Sequence, residues 1–357
     1  MRIRPLACAL VLLSSGYALG HEANPSRYNY REHIRPIFVE RCGGCHRKGG
    51  VAPMSLLEYQ EAVPWANAIK MQVLGARMPP WLPEDGVGRF RHARTLTAEE
   101  IDRVIDWTVG LTPEGEPLTA EELREDETPP WSMGVPDLVL SPSADIIIKE
   151  DDTELTACVI LPTGLREPRT IGALELKPGR PSLVRSATLS LGESCRGARP
   201  LATWLPGQGS VELAQALPAG ASLAVEILYV KGWEDEGLRL TDRSEVGLRF
   251  SSSAVPVQSR RVDSERYTFD DPVDLVALFP DPDTGGAGQS PFRIEVVLPG
   301  PDREARPILV IEAYDAHWRE KYIFETPLRL PAGTELRLSQ PAAWIDFLVD
   351  PPATAGE

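Results

Sequence analysis

The chain has 357 residues, of which 42% are hydrophobic and 25% are charged, a composition that is ordinary for a folded protein with two or three domains. Its formal net charge of −15 argues against binding to nucleic acid or to an anionic membrane surface, because like charges repel. The same charge favours a basic protein partner.

Residues 1–20 have the pattern of a secretory signal peptide. Arg2 and Arg4 precede an apolar run, and Ala18, Leu19 and Gly20 form a small-residue cleavage site. No later run is long and apolar enough to span a bilayer. We therefore expect a periplasmic protein without a membrane span.

The strongest chemical motif is Cys42-Gly43-Gly44-Cys45-His46. Two cysteines separated by two residues, with a histidine directly after the second, are the attachment signature of a c-type haem. The thiols lie about one helical turn apart, so each can form a thioether with a haem vinyl group, and the histidine becomes the proximal iron ligand. We expect the two glycines to leave room for the macrocycle.

Two other site types share the Cys-x-x-Cys spacing. A zinc site needs a second pair of Cys or His ligands at matching spacing, and none follows nearby. A thioredoxin-like redox pair follows a strand in a βαβ unit, whereas the flanks here favour a helix and a glycine loop. The sequence therefore predicts one covalent haem.

Cys158 and Cys195 are the remaining cysteines of the mature chain. An oxidising compartment permits them to form a disulfide. Pairing requires their Cα atoms to come close, which the sequence leaves open.

Three helical patterns surround the haem motif. Residues 28–41 have one apolar face, residues 55–76 form a second helix that Pro64 breaks, and residues 97–100 (Thr-Ala-Glu-Glu) are a capping box that opens a third. These helices predict an all-α cytochrome c domain over residues 25–112.

Met78 is the predicted sixth ligand of the iron, opposite His46. A methionine thioether is the usual partner of histidine in electron-transfer cytochromes c, and two prolines after Met78 hold it on a stiff segment. Met54 and Met71 are rivals, and His92 would give ligation by two histidines.

Residues 113–134 are rich in proline and acidic residues and predict a linker. After it, short β-prone runs alternate with turns, which is typical of β-sandwiches. We predict two such domains, over residues 135–255 and 256–350. The predicted strands are 138–140, 146–149, 155–161, 182–190, 222–230, 245–249, 294–298, 308–312 and 335–338.

Several short motifs, in order along the chain, carry a family resemblance. They are residues 51–56 (Val-Ala-Pro-Met-Ser-Leu), 78–81 (Met-Pro-Pro-Trp), 176–179 (Leu-Lys-Pro-Gly), 217–220 (Leu-Pro-Ala-Gly), 241–244 (Thr-Asp-Arg-Ser), 246–248 (Val-Gly-Leu) and 328–334 (Leu-Arg-Leu-Pro-Ala-Gly-Thr). In these motifs the chain resembles bacterial proteins in which a c-type cytochrome domain precedes the core of a copper type II, ascorbate-dependent monooxygenase. The resemblance implies two copper sites with histidine and methionine ligands.

The copper ligands of that family are missing from this chain. Val184 and Arg185 stand in the segment of the His-His pair, Leu228 stands at the third histidine, and Asp281 and Asp283 stand at the His-x-His motif. Copper that cycles between oxidation states prefers imidazole and thioether ligands. We therefore expect no copper and no monooxygenase activity.

Three further groups could be mistaken for sites. Asp281 and Asp283 offer oxygen ligands to calcium, but a solvated acidic turn is the favoured interpretation. His317 is expected to be a packing or surface residue, and the run of charges at 149–152 a solvated turn.

The sequence thus predicts a periplasmic cytochrome that transfers single electrons to or from a protein partner. The β half would dock a partner or a substrate. The alternatives are a haem-fused copper monooxygenase and a non-catalytic binding or assembly subunit.

Overall fold

The structure, a computed structural model, describes residues 24–117, 131–252, 257–281, 290–301, 303–315 and 318–349. The predicted signal peptide, most of the predicted linker, Asp283 and His317 lie outside the described residues.

Short helices make up the first part of the chain. Tyr30–Ile34 and Phe38–Cys42 are single wide turns of π-helix, joined by one α-helical turn, α1 (Arg35–Ile37). The others are α2 (Tyr59–Ala62), a 3₁₀ turn at Val63–Trp65, α3 (Ala66–Leu74) and α4 (Ala98–Val109).

The expected helix signals act where they were predicted. Pro64 lies in the 3₁₀ turn between α2 and α3, because proline cannot donate the hydrogen bond that would continue the helix. Thr97 and Glu100 form both bonds of the capping box at the start of α4, and Gly110 is its C-terminal cap. These predictions are confirmed.

Antiparallel strands dominate the rest of the described chain. They are β1 (Leu138–Leu140), β2 (Ile146–Ile148), β3 (Glu154–Pro162), β4 (Arg169–Lys177), β5 (Val184–Leu191), β6 (Pro200–Trp204), β7 (Val211–Leu217), β8 (Ser222–Val230), β9 (Leu240–Asp242), β10 (Glu245–Phe250), β11 (Gln258–Val262), β12 (Arg266–Thr268), β13 (Val273–Pro280), β14 (Ser290–Val297), β15 (Ala305–Tyr314), β16 (Tyr322–Leu330), β17 (Glu335–Leu338) and β18 (Ala343–Val349). Each of the nine predicted runs coincides with one of these strands.

The strands form four four-stranded sheets and a two-stranded ribbon of β2 and β9. The orders are β1-β10-β4-β7, β3-β8-β5-β6, β11-β18-β13-β16 and β12-β17-β14-β15. Neighbours in a sheet are often far apart in the sequence, so each sheet depends on long-range pairing.

The described chain has three hydrophobic cores. Two lie between sheets, and the third lies among the helices. The first β core draws on the first two sheets, with Leu174, Leu189 and Ile227 among its members. The second β core draws on the other two, with Leu275 and Ile311 among its members. The N-terminal core is smaller and is built around Tyr30, Phe38 and Trp107.

The chain between α3 and α4 pairs with the second pair of sheets. The backbone N–H of Arg91 donates to the carbonyl of Ile323 at 2.8 Å, and the N–H of Glu325 donates to the carbonyl of Arg89 at 2.8 Å. Isolated bridges also join Pro83 to β15 and Phe90 to β16. This segment therefore extends a sheet of the β half.

Aromatic side chains of the same segment enter the second β core. Phe90 is buried with its ring centroid 5.0 Å from that of Phe324, and Trp81 packs edge-on against Tyr322 at 5.7 Å. Burial of such rings accounts for the docking, because each removes a large apolar area from water.

The predicted fold class, an all-α cytochrome c domain followed by two all-β sandwich domains, is wrong. The structure is mostly β, with 39% strand and 15% helix, and its described residues contain no all-α cytochrome domain. The helices of residues 25–112 are short, and part of this range belongs to the second β core. The helical periodicity was real, but it did not reveal that the segment between two helices pairs with distant strands.

Candidate functional site

The Cys42–His46 segment, here called the attachment turn, continues the helical path that ends at Cys42. The backbone N–H of Cys45 donates to the carbonyl of Cys42 at 3.1 Å, and that of His46 donates to the same carbonyl at 2.9 Å. These bonds place Cys42, Cys45 and His46 within one turn. Both cysteines are free. The turn therefore presents two thiols and an imidazole together.

The imidazole of His46 is held in one tautomer. Its Nδ1 lies 3.2 Å from the backbone carbonyl oxygen of Met54. A carbonyl oxygen only accepts, so Nδ1 carries the proton and Nε2 has a free lone pair. Burial lowers the pKa of His46, which favours the neutral ring. His46 is thus arranged as a metal ligand is, with one nitrogen anchored and the other available.

Both thiols are protonated at neutral pH. Burial, with a further contribution from the Cys45 thiol, raises the pKa of Cys42 to about 12. Burial also raises the pKa of Cys45, although the charges of Arg94, Arg185 and Arg47 oppose it. Two reduced thiols beside a neutral imidazole fit the donor set of a covalently attached haem.

The attachment turn packs against the loop between β6 and β7. The Cys45 thiol points to the carbonyl of Pro206 at 3.6 Å. A Cβ built on Gly44 would stand 2.3 Å from the Cα of Gly207, so no other residue fits there without a shift. The space beside Gly44, which we expected to face the macrocycle, is therefore occupied by backbone of the β half.

Arg185 reaches the same region from the β half. It follows Val184 at the start of β5, where the pairing with β8 shifts register between Val184 and Ser186. A bulge of this kind redirects a side chain. The Nη1 of Arg185 donates to the carbonyl of Val51 at 3.0 Å. Sequence reasoning missed this contact, since nothing local to Arg185 indicates a partner 134 positions away.

Met78, the predicted sixth ligand, lies after α3 and is 41% exposed, outside the three cores. Of its rivals, Met54 packs against the N-terminal core, while Met71 is 51% exposed and His92 is exposed. The helical spacing of Met71 favours a packing role in the core, and its exposure contradicts that expectation. The choice of Met78 as axial ligand stays a prediction.

Asp281 lies in a set of charged residues, here called the junction network, that consists of Glu226, Arg261, Asp281 and Arg319. Arg319 pairs with Glu226 at 3.1 Å and with the Oδ1 of Asp281, and Arg261 pairs with the Oδ2 of Asp281 at 2.7 Å. Both carboxylate oxygens of Asp281 thus accept from guanidinium groups. The favoured interpretation as a solvated turn is wrong for Asp281, and no oxygen is left for calcium.

A cavity of about 30 Å³ lies beside the junction network, lined in part by Cys195, Glu226, Asp281 and Arg319. This volume suits about two water molecules. A substrate does not fit in it.

The remaining predicted residues lie in the first pair of sheets and in the loop between β5 and β6. Cys158 and Cys195 are joined in a disulfide, with Cα atoms 6.0 Å apart. Val184, in the segment expected for the His-His pair, and Leu228, at the place expected for the third histidine, are both buried.

The description of this chain as a metal-binding, iron-containing cytochrome c is corrected by the structure. Among the described residues, no group of three or more His, Cys, Asp or Glu side chains is placed to hold a metal ion. The part of the chain that the structure describes does not form the cytochrome fold either. The attachment turn is a local feature that depends on neither.

In the described chain, the helices are all too short or too polar to cross a bilayer.

No protein-family model matches this chain, and no curated protein matches it significantly. Two solved structures with weak similarity are N-glycanase F (PNGase F) and a xanthan lyase from Paenibacillus. The first is 9% identical, with a TM-score of 0.24, over 60% of this chain and 96% of the other. The second is 9% identical, with a TM-score of 0.17, over 63% of this chain and 26% of the other. Similarity at this level carries no functional argument.

Proposed function

We propose that this chain is a periplasmic carrier of single electrons whose redox group is one haem joined covalently to Cys42 and Cys45. His46 would be the proximal iron ligand, and Met78 would be the sixth. The observation that supports the proposal is the attachment turn, in which the Nδ1 of His46 bonds to Met54 and leaves Nε2 free beside two reduced thiols.

Each residue of the attachment turn would contribute differently to holding the haem. Cys42 and Cys45 would hold the porphyrin through two thioether bonds, one from each thiol. His46 stays neutral because it is buried, and its bond to Met54 fixes the ring plane. When bound, a haem supplies a centre that gains or loses one electron at a time.

The β half would serve to dock a partner. Its positions that correspond to copper ligands hold an arginine, an aspartate and buried aliphatic residues, which do not suit copper. The net charge of −15 favours a basic redox protein, because complementary charge accelerates encounter.

The proposal is tested by expressing the full chain in a bacterium that attaches c-type haem and purifying it from the periplasm. We expect pyridine-haemochrome absorbance that stays with the polypeptide after denaturation, and one iron per chain. The variant Cys42→Ala/Cys45→Ala should lose this absorbance.

A matched control removes the other two cysteines. Cys158→Ala/Cys195→Ala should keep the haem, since the disulfide lies outside the attachment turn. Absence of haem from the wild-type protein, or two tightly bound coppers per chain, would contradict the proposal; the second result would favour the monooxygenase.

A further inference from the structure

An open groove of about 580 Å³ lies in the β half. Its described lining comes from three neighbouring segments of one sheet, namely the start of β1, the start of β4 and the end of β10. None of these lining residues belongs to the attachment turn or to the junction network. Sites for small molecules have volumes of roughly 300 to 1,000 Å³, so the groove has the size of such a site.

The groove exists because β10 continues past the start of β1. Leu138 at the start of β1 pairs with Leu248, and the backbone N–H of Asp137 donates to the carbonyl of Leu248 at 2.8 Å. The N–H of Phe250, two residues further along β10, donates to the carboxylate of Asp137 at 2.7 Å instead of to a strand. On the other side, the pairing of β10 with β4 shifts register at Phe250. A gap is therefore left beside the end of β10.

The apolar part of the lining, here called the groove floor, consists of Leu138, Leu165 and Phe250. All three side chains are half-buried and pack against the first β core. Their position on the core holds them in place, while part of their surface still faces the groove. An apolar ligand that covers the groove floor is favoured, because it removes this surface from water.

Arg169 is the one cation in the described lining. Its side chain is exposed and forms no ion pair or hydrogen bond with any residue that the structure describes. The one carboxylate of the described lining, that of Asp137, already accepts the N–H of Phe250. Charge complementarity at Arg169 therefore favours an anion. A guanidinium presents two parallel N–H groups that match the two oxygens of a carboxylate.

We propose that this groove binds a small carboxylic acid with an apolar chain. The carboxylate pairs with Arg169, and the chain covers the groove floor. A neutral apolar molecule would leave the guanidinium without a partner, and a short polar acid would leave the groove floor exposed to water. Binding needs no residue of the attachment turn, so this function is additional to electron transfer and fails independently of it.

The test uses isothermal titration calorimetry of the full chain with three probes. Octanoate has both the charge and the apolar chain, octanol has the chain without the charge, and acetate has the charge without the chain. We expect octanoate to bind more tightly than either of the others. Octanoate should also slow backbone hydrogen exchange in residues 165–170 and 249–252, which line the groove or adjoin its lining.

Arg169→Gln should weaken the binding of octanoate about fivefold, the size expected for one exposed ion pair, and leave the binding of octanol unchanged. The matched control is Arg166→Gln. Arg166 is an exposed arginine three positions earlier that does not line the groove, so its loss should leave both affinities unchanged.

Ser252→Glu supplies a second variant in case Arg169→Gln folds poorly. It places a carboxylate in the lining at an exposed position, so it should weaken octanoate through repulsion, whereas Ser252→Gln should not. Absence of octanoate binding to the wild-type chain, or equal binding of octanoate and octanol, would overturn the proposal. An octanoate affinity that is unchanged in both Arg169→Gln and Ser252→Glu would also overturn it.

Discussion

The attachment turn and the junction network are both places where distant parts of the chain meet, and they differ in their charge balance. In the junction network, Arg319 lies between the carboxylates of Glu226 and Asp281. At the attachment turn, Arg185 has a carbonyl oxygen and no carboxylate among the described residues.

The difference separates a contact whose guanidinium groups face carboxylates from one in which Arg185 faces a carbonyl oxygen. Removing a guanidinium from water is costly, and a protein that buries one usually supplies the anion itself. The junction network does so, because Arg261 and Arg319 both pair with the carboxylate of Asp281. At the attachment turn, no described carboxylate does this for Arg185, and both thiols are free.

The largest expected effect follows a change at the attachment turn itself. His46→Ala should leave the haem covalently attached through the cysteines but abolish the low-spin spectrum, because the iron loses its proximal ligand. Absorbance spectroscopy of the reduced protein, with and without carbon monoxide, measures this. His92→Ala is the matched control: if it had the same effect, ligation by two histidines would replace the assignment of Met78.

Arg319→Met should be the most damaging change in the junction network. This change leaves Glu226 and Asp281 without the cation that they share, so we expect the free energy of unfolding to fall by about 2 kcal/mol. The loss is smaller than for a fully buried ion pair because these side chains are partly exposed. Urea denaturation measures it.

The matched control for Arg319→Met is Arg243→Met. Arg243 pairs with Asp145 at 2.8 Å, but both side chains are about half exposed, so the cost should stay below about 1 kcal/mol. Equal losses in the two variants would show that the junction network has no special role.

Glu320, which neutralises Arg94 near the attachment turn, should make stability depend on pH. Burial raises the pKa of Glu320 above its ordinary value of 4.5, and Arg94 opposes this only in part. The folded state then keeps a proton that the unfolded state has released. The stability contribution is therefore present below pH 4.5 and is lost as the pH rises toward the folded pKa.

Glu320→Gln should remove this decrease in the free energy of unfolding with rising pH, which amounts to at most about 1.4 kcal/mol per pH unit. Urea denaturation over a pH series measures it. Glu335→Gln is the control with the opposite sign, because Arg337 lowers the pKa of Glu335 and its contribution is lost as the pH falls. If the free energy of unfolding depended on pH in the same way in the wild-type protein and in Glu320→Gln, the pKa of Glu320 would not be raised.

The smallest expected effect is that of calcium. Because both carboxylate oxygens of Asp281 are occupied by guanidinium groups, adding millimolar calcium or a chelator should leave the melting temperature of the full chain unchanged. A calcium-dependent rise that disappears in Asp281→Asn would show that the junction network opens to bind metal.

Local signals in the sequence were sufficient for many elements. The capping box at Thr97 and the strand at 222–230 follow from residues that are neighbours in the chain. Strands such as β6 and β16 were missed, because each contains a proline and lacks a clean alternation. Their identity as strands depends on partners elsewhere.

The sequence by itself determined the order of two thiols and an imidazole in the attachment turn, and the haem chemistry that this spacing indicates stays a prediction. Only the tertiary structure decided which charges surround it. The contact of Arg185 with Val51, the pairing of residues 83–91 with β15 and β16, and the neutralisation of Asp281 all join positions that are far apart in sequence. Such contacts form because folding buries and pairs groups in space, and no local pattern encodes them.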